Sequence, residues 1–415
     1  MLFLSQFGSS KFKDIMEIVH ASVWERVKLC FLAVVFGWYL VLRRLLKWAW
    51  NPNQFFVLRP RDKPPPCLVD NTFGKHSYIK LKGIKFHYVE AGNKEKPLIL
   101  LLHGFPDCWL SWREQIPILS EYYRVVALDL KGFGDSDKPL NKSSYRIETL
   151  IDELKQFILS LGEKSCSIIG HDLGGLLGWY MAAIHQDVVC KLICISSPHP
   201  NFYWNTISGE TIFSRKWVYF STLPFLPEID VLKEDLAVIN DTYKHLQLTE
   251  QKSNKDYVEA YKYAFSRKED WTGPINYYRN LPYTRLGRDG NQQITTKTLL
   301  IVGNADPYVS LENIIQSTEY VEKCNVKVVS GAGHFPHQEK PQFVNESIIK
   351  FLVVINLISL GQLVEKTAPT KSIVSSWLGS LSTTVKYGNQ VFDAVHKRTN
   401  GVVPLSRKVP EQTTT

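Results

Sequence analysis

Eleven residues constrain this chain more than any others: Cys166-Ser167-Ile168-Ile169-Gly170-His171-Asp172-Leu173-Gly174-Gly175-Leu176. An apolar run ends in a glycine, and a reactive side chain stands two positions on. Two more glycines then open a second apolar run that reaches Ala183. The pattern predicts a strand, a sharp turn and a helix, with the spacing of a nucleophile elbow. The centre of such an elbow sits in a strained turn, and flanking Cβ atoms would collide with the strand and helix, so glycines are required beside it. Serine usually occupies the centre; here it is Asp172. A carboxylate in that place attacks carbon and forms an alkyl–enzyme ester, which points away from proteases and lipases. The pentapeptide alone suits an Asp that merely caps a helix equally well, so the decision falls to partners elsewhere in the chain.

Those partners follow the apolar runs. Pro97 to Leu102 reads as a buried central strand and ends in His103-Gly104-Phe105-Pro106. Loops past strand ends are where α/β sheets hold ligands. The Phe105 and Leu173 N–H groups are therefore expected to form an oxyanion hole, and Pro106 admits a cis bond. Arg124 to Leu128 is a further buried strand. The Asp129–Ser136 loop after it lacks the Lys-Ser/Thr of a phosphate loop and reads as turn and capping residues. Ile147 to Gly162 has the period of an amphipathic helix, and Lys191–Ser196, Thr298–Val302 and Val326–Val329 are strands. Asp306 stands just past the second of these, in Gly303-Asn304-Ala305-Asp306-Pro307. His334 stands past the third, in Gly331-Ala332-Gly333-His334. Nucleophile, acid and histidine thus come in that order, each on a loop after a strand. His337 is the rival base, but the Gly-x-Gly-His context favours His334; His171 is expected to pack. The histidines are spread without ligand spacing, so neither a metal nor another cofactor is expected.

By these motifs the chain resembles the α/β-hydrolase-fold epoxide hydrolases, in particular the membrane-anchored epoxide hydrolase 3/4 branch. The motifs are His103-Gly104-Phe105-Pro106, Gly132-Phe133-Gly134-Asp135-Ser136 and Gly170-His171-Asp172-Leu173-Gly174-Gly175, and the similarity runs from about Tyr78 to Leu352. The resemblance implies an α/β-hydrolase fold, a mostly parallel eight-stranded sheet with a helical cap inserted after the sixth strand. The chain is thus expected to divide into an N-terminal segment and linker (1–66), a core (67–197 and 287–355), a cap (198–286) and a tail (356–415) that does not belong to that branch's pattern. It implies an epoxide substrate opened by Asp172, with Asp306 and His334 driving hydrolysis. Two cap tyrosines hold the epoxide oxygen in that family. Gly273-Pro274-Ile275-Asn276-Tyr277-Tyr278 places one at Tyr278. The other position holds Trp217, and Tyr219 is the candidate substitute. An indole donates one hydrogen bond but has no usable proton, whereas a phenol has both. Trp217 keeps a dehalogenase with the same Asp-His-Asp set in play. Loss of a phenol keeps a catalytically weakened binding protein in play, and a serine hydrolase is a weaker rival.

Composition matters mainly at the N-terminus. Leu29 to Leu42 carries no charge and is flanked by Lys28, Arg43, Arg44 and Lys47. As a helix these 14 residues reach roughly 21 Å, short of a ~30 Å hydrocarbon core, but snorkelling bases extend the span to about 27–50. The expectation is a single-pass anchor in the endoplasmic reticulum membrane, with an interfacial helix as the alternative. Basic residues favour a cytosolic C-terminal side, while the sequons at Asn141, Asn240 and Asn345 suit a lumenal one. Basic residues exceed acidic ones by nine without forming a basic-aromatic stripe, which excludes nucleic acid and fits an anionic membrane surface. A lipophilic epoxide is the substrate that such a location implies. Seven unpaired-looking cysteines do not suggest a disulfide framework.

Overall fold

The computed structural model describes residues 16–50, 52, 57–204, 215–247, 252–287 and 292–353. The tail expected over 356–415 lies outside the described residues. The described chain opens with a short strand, β1 (Glu17–His20), and a long helix, α1 (Val23–Trp50). Strands β2 (Lys75–Leu81), β3 (Ile84–Ala91), β4 (Leu98–Leu102), β5 (Arg124–Leu128), β6 (Cys166–His171) and β7 (Val189–Ile195) follow. After them come β8 (Thr284–Gly287), β9 (Lys297–Gly303) and β10 (Cys324–Val329). Eight of these form one sheet in the order β10-β9-β7-β6-β4-β5-β3-β2, while β8 stands apart and pairs with β1. Within the eight-stranded sheet β3 runs against its neighbours, β2 and β5, and every other pair is parallel. This is the α/β-hydrolase fold with its mostly parallel sheet.

The sequence explains the layering. β4 is Leu-Ile-Leu-Leu-Leu and is buried at every position, as a central strand covered on both faces must be. Edge strand β2 instead alternates and exposes Lys75 and Lys80, charges that discourage pairing with another chain. Helix α2 (Ile147–Ser160) buries the stripe Ile147, Ile151, Leu154 and Ile158 and leaves its polar face in water. Helix α3 (Leu173–Ile184) is apolar all round and buried along its length, because it lies directly beneath the sheet's centre.

Two features of the topology position the site. The chain goes from β4 to β5 on one side, then crosses to β6 on the other. That reversal opens a crevice at the carboxyl ends of β4 and β6, where such sheets bind ligands. Between β7 and β8 the described residues are mostly helical, including α4 (Arg215–Ser221), α5 (Lys252–Ala264) and α6 (Glu269–Tyr278). Helix α7 (Pro341–Val353) closes the described chain.

Helix α1 is the one described helix long and apolar enough to cross a membrane by length and composition. Ala33, Gly37 and Leu40, spaced three and four apart, are its buried face. That face packs on the α4 region: a Cβ at Gly37 would meet Leu223 at 2.3 Å, and Phe36 stacks on Tyr219 with ring centroids 5.4 Å apart.

Candidate active site

β6 delivers Asp172 into the crevice. Its backbone is held at φ 47° and ψ −114°, a conformation costing about 1–3 kcal/mol that surrounding structure must enforce. A Cβ at Gly170 would lie 2.4 Å from the Gly174 oxygen, so strand and helix approach this closely only because glycine stands there. The carboxylate is buried, and its two oxygens have different surroundings. Oδ2 accepts the Phe105 N–H at 3.1 Å, and the Leu173 N–H also bonds the group. Oδ1 accepts the Tyr203 hydroxyl and lies 3.9 Å from His334 Nε2. Burial pushes the Asp172 carboxyl up from its ordinary range, while His334, Tyr203 and the two N–H groups pull it back. Phe105–Pro106 is a cis bond.

The segments after β9 and β10 supply Asp306 and His334. Asp306 Oδ1 accepts the Tyr308 and Val309 N–H groups at 2.9 and 3.0 Å. Its Oδ2 lies 3.0 Å from His334 Nδ1. Burial opposes the Asp306 charge, but His334 and these donors outweigh it and hold the carboxyl below its usual range. Burial likewise disfavours imidazolium at His334, yet Asp306 and Asp172 raise its affinity for a proton above the usual histidine value. β10 is the sheet edge, so His334 reaches Asp172 only by a loop folding back over β9. Gly303 permits it, since a Cβ there would meet the Ala332 oxygen at 2.2 Å. Asp172, Asp306 and His334, far apart in sequence, are thus neighbours.

The aromatic residues sort differently from the sequence reading. Tyr278, on α6, is buried over the site with its ring 5.0 Å from Phe105 and 5.7 Å from Trp204. Burial and nearby Asp172 keep its phenol protonated. Trp217 is buried and packs on Phe220. Tyr219, the expected substitute, stacks on Phe36 of α1. Positions two apart on a helix face opposite ways, so if Trp217 turns inward Tyr219 turns out. The residue missed was Tyr203, whose hydroxyl donates to Asp172 Oδ1. Burial, Asp172 and Tyr278 all hold its phenol well above its ordinary pKa. The available signal was positional: Tyr203 follows the end of β7, which lies beside β6.

A second polar group lies behind the base. His171 Nε2 donates to the His334 carbonyl at 2.8 Å. Asp107 and His337 share the Ser111 hydroxyl, at 2.6 and 2.9 Å. One ligand-type atom from each of Asp107, His171 and His337 falls within a 4.8 Å cluster, a convergence that sequence spacing did not reveal. Burial, and then the neighbouring histidine, push His171 and His337 well below the ordinary histidine value, so both rings are neutral. His337 is bonded into this cluster, whereas His334 is the histidine on Asp306.

A buried carboxylate thus lies against two backbone N–H donors, an aspartate-held imidazole and two phenols. The chain matches the α/β hydrolase fold family over residues 97–341. It is 37% identical over 326 residues to epoxide hydrolase 4 of Homo sapiens, covering 74% of this chain and 88% of that protein. Epoxide hydrolase 3 of Xenopus tropicalis is 38% identical over 315 residues, 73% of this chain and 84% of that one. The solved structure of epoxide hydrolase A from Mycobacterium thermoresistibile matches with a TM-score of 0.56 at 25% identity, covering 67% of this chain and 98% of that one. The chain therefore belongs to the epoxide hydrolases of the α/β-hydrolase fold and is similar to members 3 and 4 of that family.

Proposed function

We propose that this enzyme converts a lipophilic epoxide to a vicinal diol through an ester on Asp172. Oδ1 of Asp172 attacks an oxirane carbon from behind; the C–Oδ1 bond forms as the ring C–O bond breaks. Tyr278 and Tyr203 donate to the ring oxygen as charge develops on it, and one phenol gives up its proton. His334 Nε2 then takes a proton from water, whose oxygen adds to the Asp172 carbonyl carbon while the Phe105 and Leu173 N–H groups hold the oxyanion. The Cγ–Oδ1 bond breaks, the leaving oxygen takes the attacking water's second proton, and the diol departs with Oδ1. Asp172 is restored with the water's oxygen, and the proton on His334 returns to the phenolate. Residues 198–286 serve as the cap, and α1 holds the enzyme to a membrane, that of the endoplasmic reticulum in the sequence reading. Trp217 lines the cap side of the cavity.

One observation supports this reading above others. The same oxygen, Asp172 Oδ1, faces a phenol donor on one side and the His334 imidazole 3.9 Å away on the other. An epoxide entering there would meet nucleophile and acid together. The test is one turnover in heavy-oxygen water with a styrene-type or fatty-acid epoxide. The label is expected in the Asp172 carboxylate and absent from the first diol released. Label appearing directly in the diol would overturn the ester, chloride release from haloalkanes would favour the dehalogenase, and no turnover would favour a binding role.

A further inference from the structure

A helix that crosses a bilayer places its two ends on opposite sides of about 30 Å of hydrocarbon. α1 has the length and composition for that, and most of its apolar stretch is exposed. Yet both of its flanks are tied to the same folded body. On its N-terminal side, β1 forms an antiparallel ladder with β8, from Glu17 opposite Gly287 to His20 opposite Thr284. Ala21 N–H then bonds the Tyr283 oxygen at 2.7 Å. β8 itself is anchored: Asn201 bonds both the N–H and the oxygen of Leu286, and Thr284 meets the Tyr180 hydroxyl at 3.1 Å. On the C-terminal side, Asp235 N–H bonds the Val57 oxygen at 2.6 Å, and the Arg61 guanidinium holds the Asp235 carboxylate at 2.8 and 3.0 Å.

Between these ties the helix touches the body from about Leu29 to Lys47, while residues 23–28 at its start are exposed. Its middle rests on Leu223 and Tyr219, and near its end Arg44 and Lys47 pair with Asp230 and Glu234 at 2.9 and 2.7 Å. At 28 residues it is about 42 Å long, and the stretch in contact, Leu29 to Lys47, covers about 27 Å of it. The face turned away from the body is also apolar: Phe31, Trp38, Leu42 and Leu46 are each more than half exposed. An ordinary surface helix is polar on that side. Beside it the cap adds exposed Phe225, Leu226 and Ile229, in the segment between the contacts at Leu223 and Asp230. Exposed Arg26 and Lys28 near one end suit anionic headgroups.

We propose that α1 lies in the plane of a single leaflet, a monotopic attachment in which its outward face and the Phe225–Ile229 segment contact lipid, and that it does not cross the bilayer. This replaces the single-pass span expected from sequence. It resolves the opposed orientation signals, since a helix with both ends on one side has no inside and outside flank. It also puts the cap against the lipid from which an apolar epoxide would come.

The inference rests on the membrane attachment proposed above, and the experiment separates it from the chemistry. The full chain carries one epitope tag at the N-terminus and a second in the exposed β2–β3 turn at Lys82-Gly83, and is expressed in cells whose membranes are recovered as sealed vesicles. Protease is expected to remove both tags or spare both; one removed and one protected means a spanning helix and overturns the proposal. As a second reading, Trp38→Glu with Leu42→Glu and Leu46→Glu is expected to cut the membrane-bound fraction at least tenfold while turnover of a water-soluble epoxide stays within about twofold. Undiminished binding by that active variant overturns the proposal as well. If the unaltered chain stays in the supernatant yet forms diol, attachment fails and the chemistry stands. If it binds membranes and forms no diol, the reverse holds.

Discussion

Tyr203→Phe is the substitution that most directly probes the mechanism, because Tyr203 touches the nucleophile before any substrate arrives. Losing one donor to the developing oxyanion costs about 10²- to 10³-fold, or ~2.7–4 kcal/mol. At rest, however, the same hydroxyl stabilises the Asp172 carboxylate by a hydrogen bond to a charged acceptor, worth roughly 1.5–3 kcal/mol. An entering epoxide must displace that bond, and the Phe variant is relieved of doing so. The difference leaves a net loss of about 1–2 kcal/mol, so ester formation should slow by roughly an order of magnitude. Substrate should bind no more weakly than before. Tyr278 holds no such resting bond to Asp172 among the described contacts, so Tyr278→Phe should show the undiscounted loss of about 10²- to 10³-fold. Rapid-quench measurement of Asp172 ester formation, with mass analysis of the labelled peptide, separates this step from hydrolysis, which should change little in either variant. If Tyr203→Phe forms ester at the native rate, Tyr203 plays no part in ring opening. If it is hurt as badly as Tyr278→Phe, the resting bond is not the offset reasoned here.

Other outcomes follow from the same geometry. His334→Gln should form ester in one burst equivalent to enzyme and then stall, with turnover down ~10³-fold and the substrate mass retained on Asp172. Hydrolysis of that ester needs neutral His334. Asp306 raises its pKa while esterified Asp172 no longer does, so the rate should fall as pH drops through the His334 pKa, and Asp306→Asn should move that limb to lower pH and lower the plateau, as read from single-turnover pH profiles. Tyr219→Phe should leave ester formation unchanged, because its ring serves the contact with Phe36. Gly303→Val should lose more than about 2 kcal/mol in denaturant unfolding, since its side chain would occupy the path of the His334 loop.

What sequence alone determined was local. A glycine-flanked Asp172 between two apolar runs admits few backbones besides strand, tight turn and helix. The reading of Asp306 and His334 as partners needed only their order and their position past strands, because a parallel sheet gathers the ends of all its strands at one edge. The tertiary structure decided whatever depended on which surfaces meet. Tyr203 reaches Asp172 because β7 lies beside β6, an adjacency no spacing encodes. Tyr219 was read as a spare phenol because helical periodicity says which residues share a face but not which face turns inward. Asp107, His171 and His337 converge from the segment after β4, the end of β6 and a short helix after β10. For α1, composition allowed a membrane helix and could say no more. Its direction depends on partners at Thr284–Gly287 and Asp235, distant in sequence, that hold both of its ends to one body.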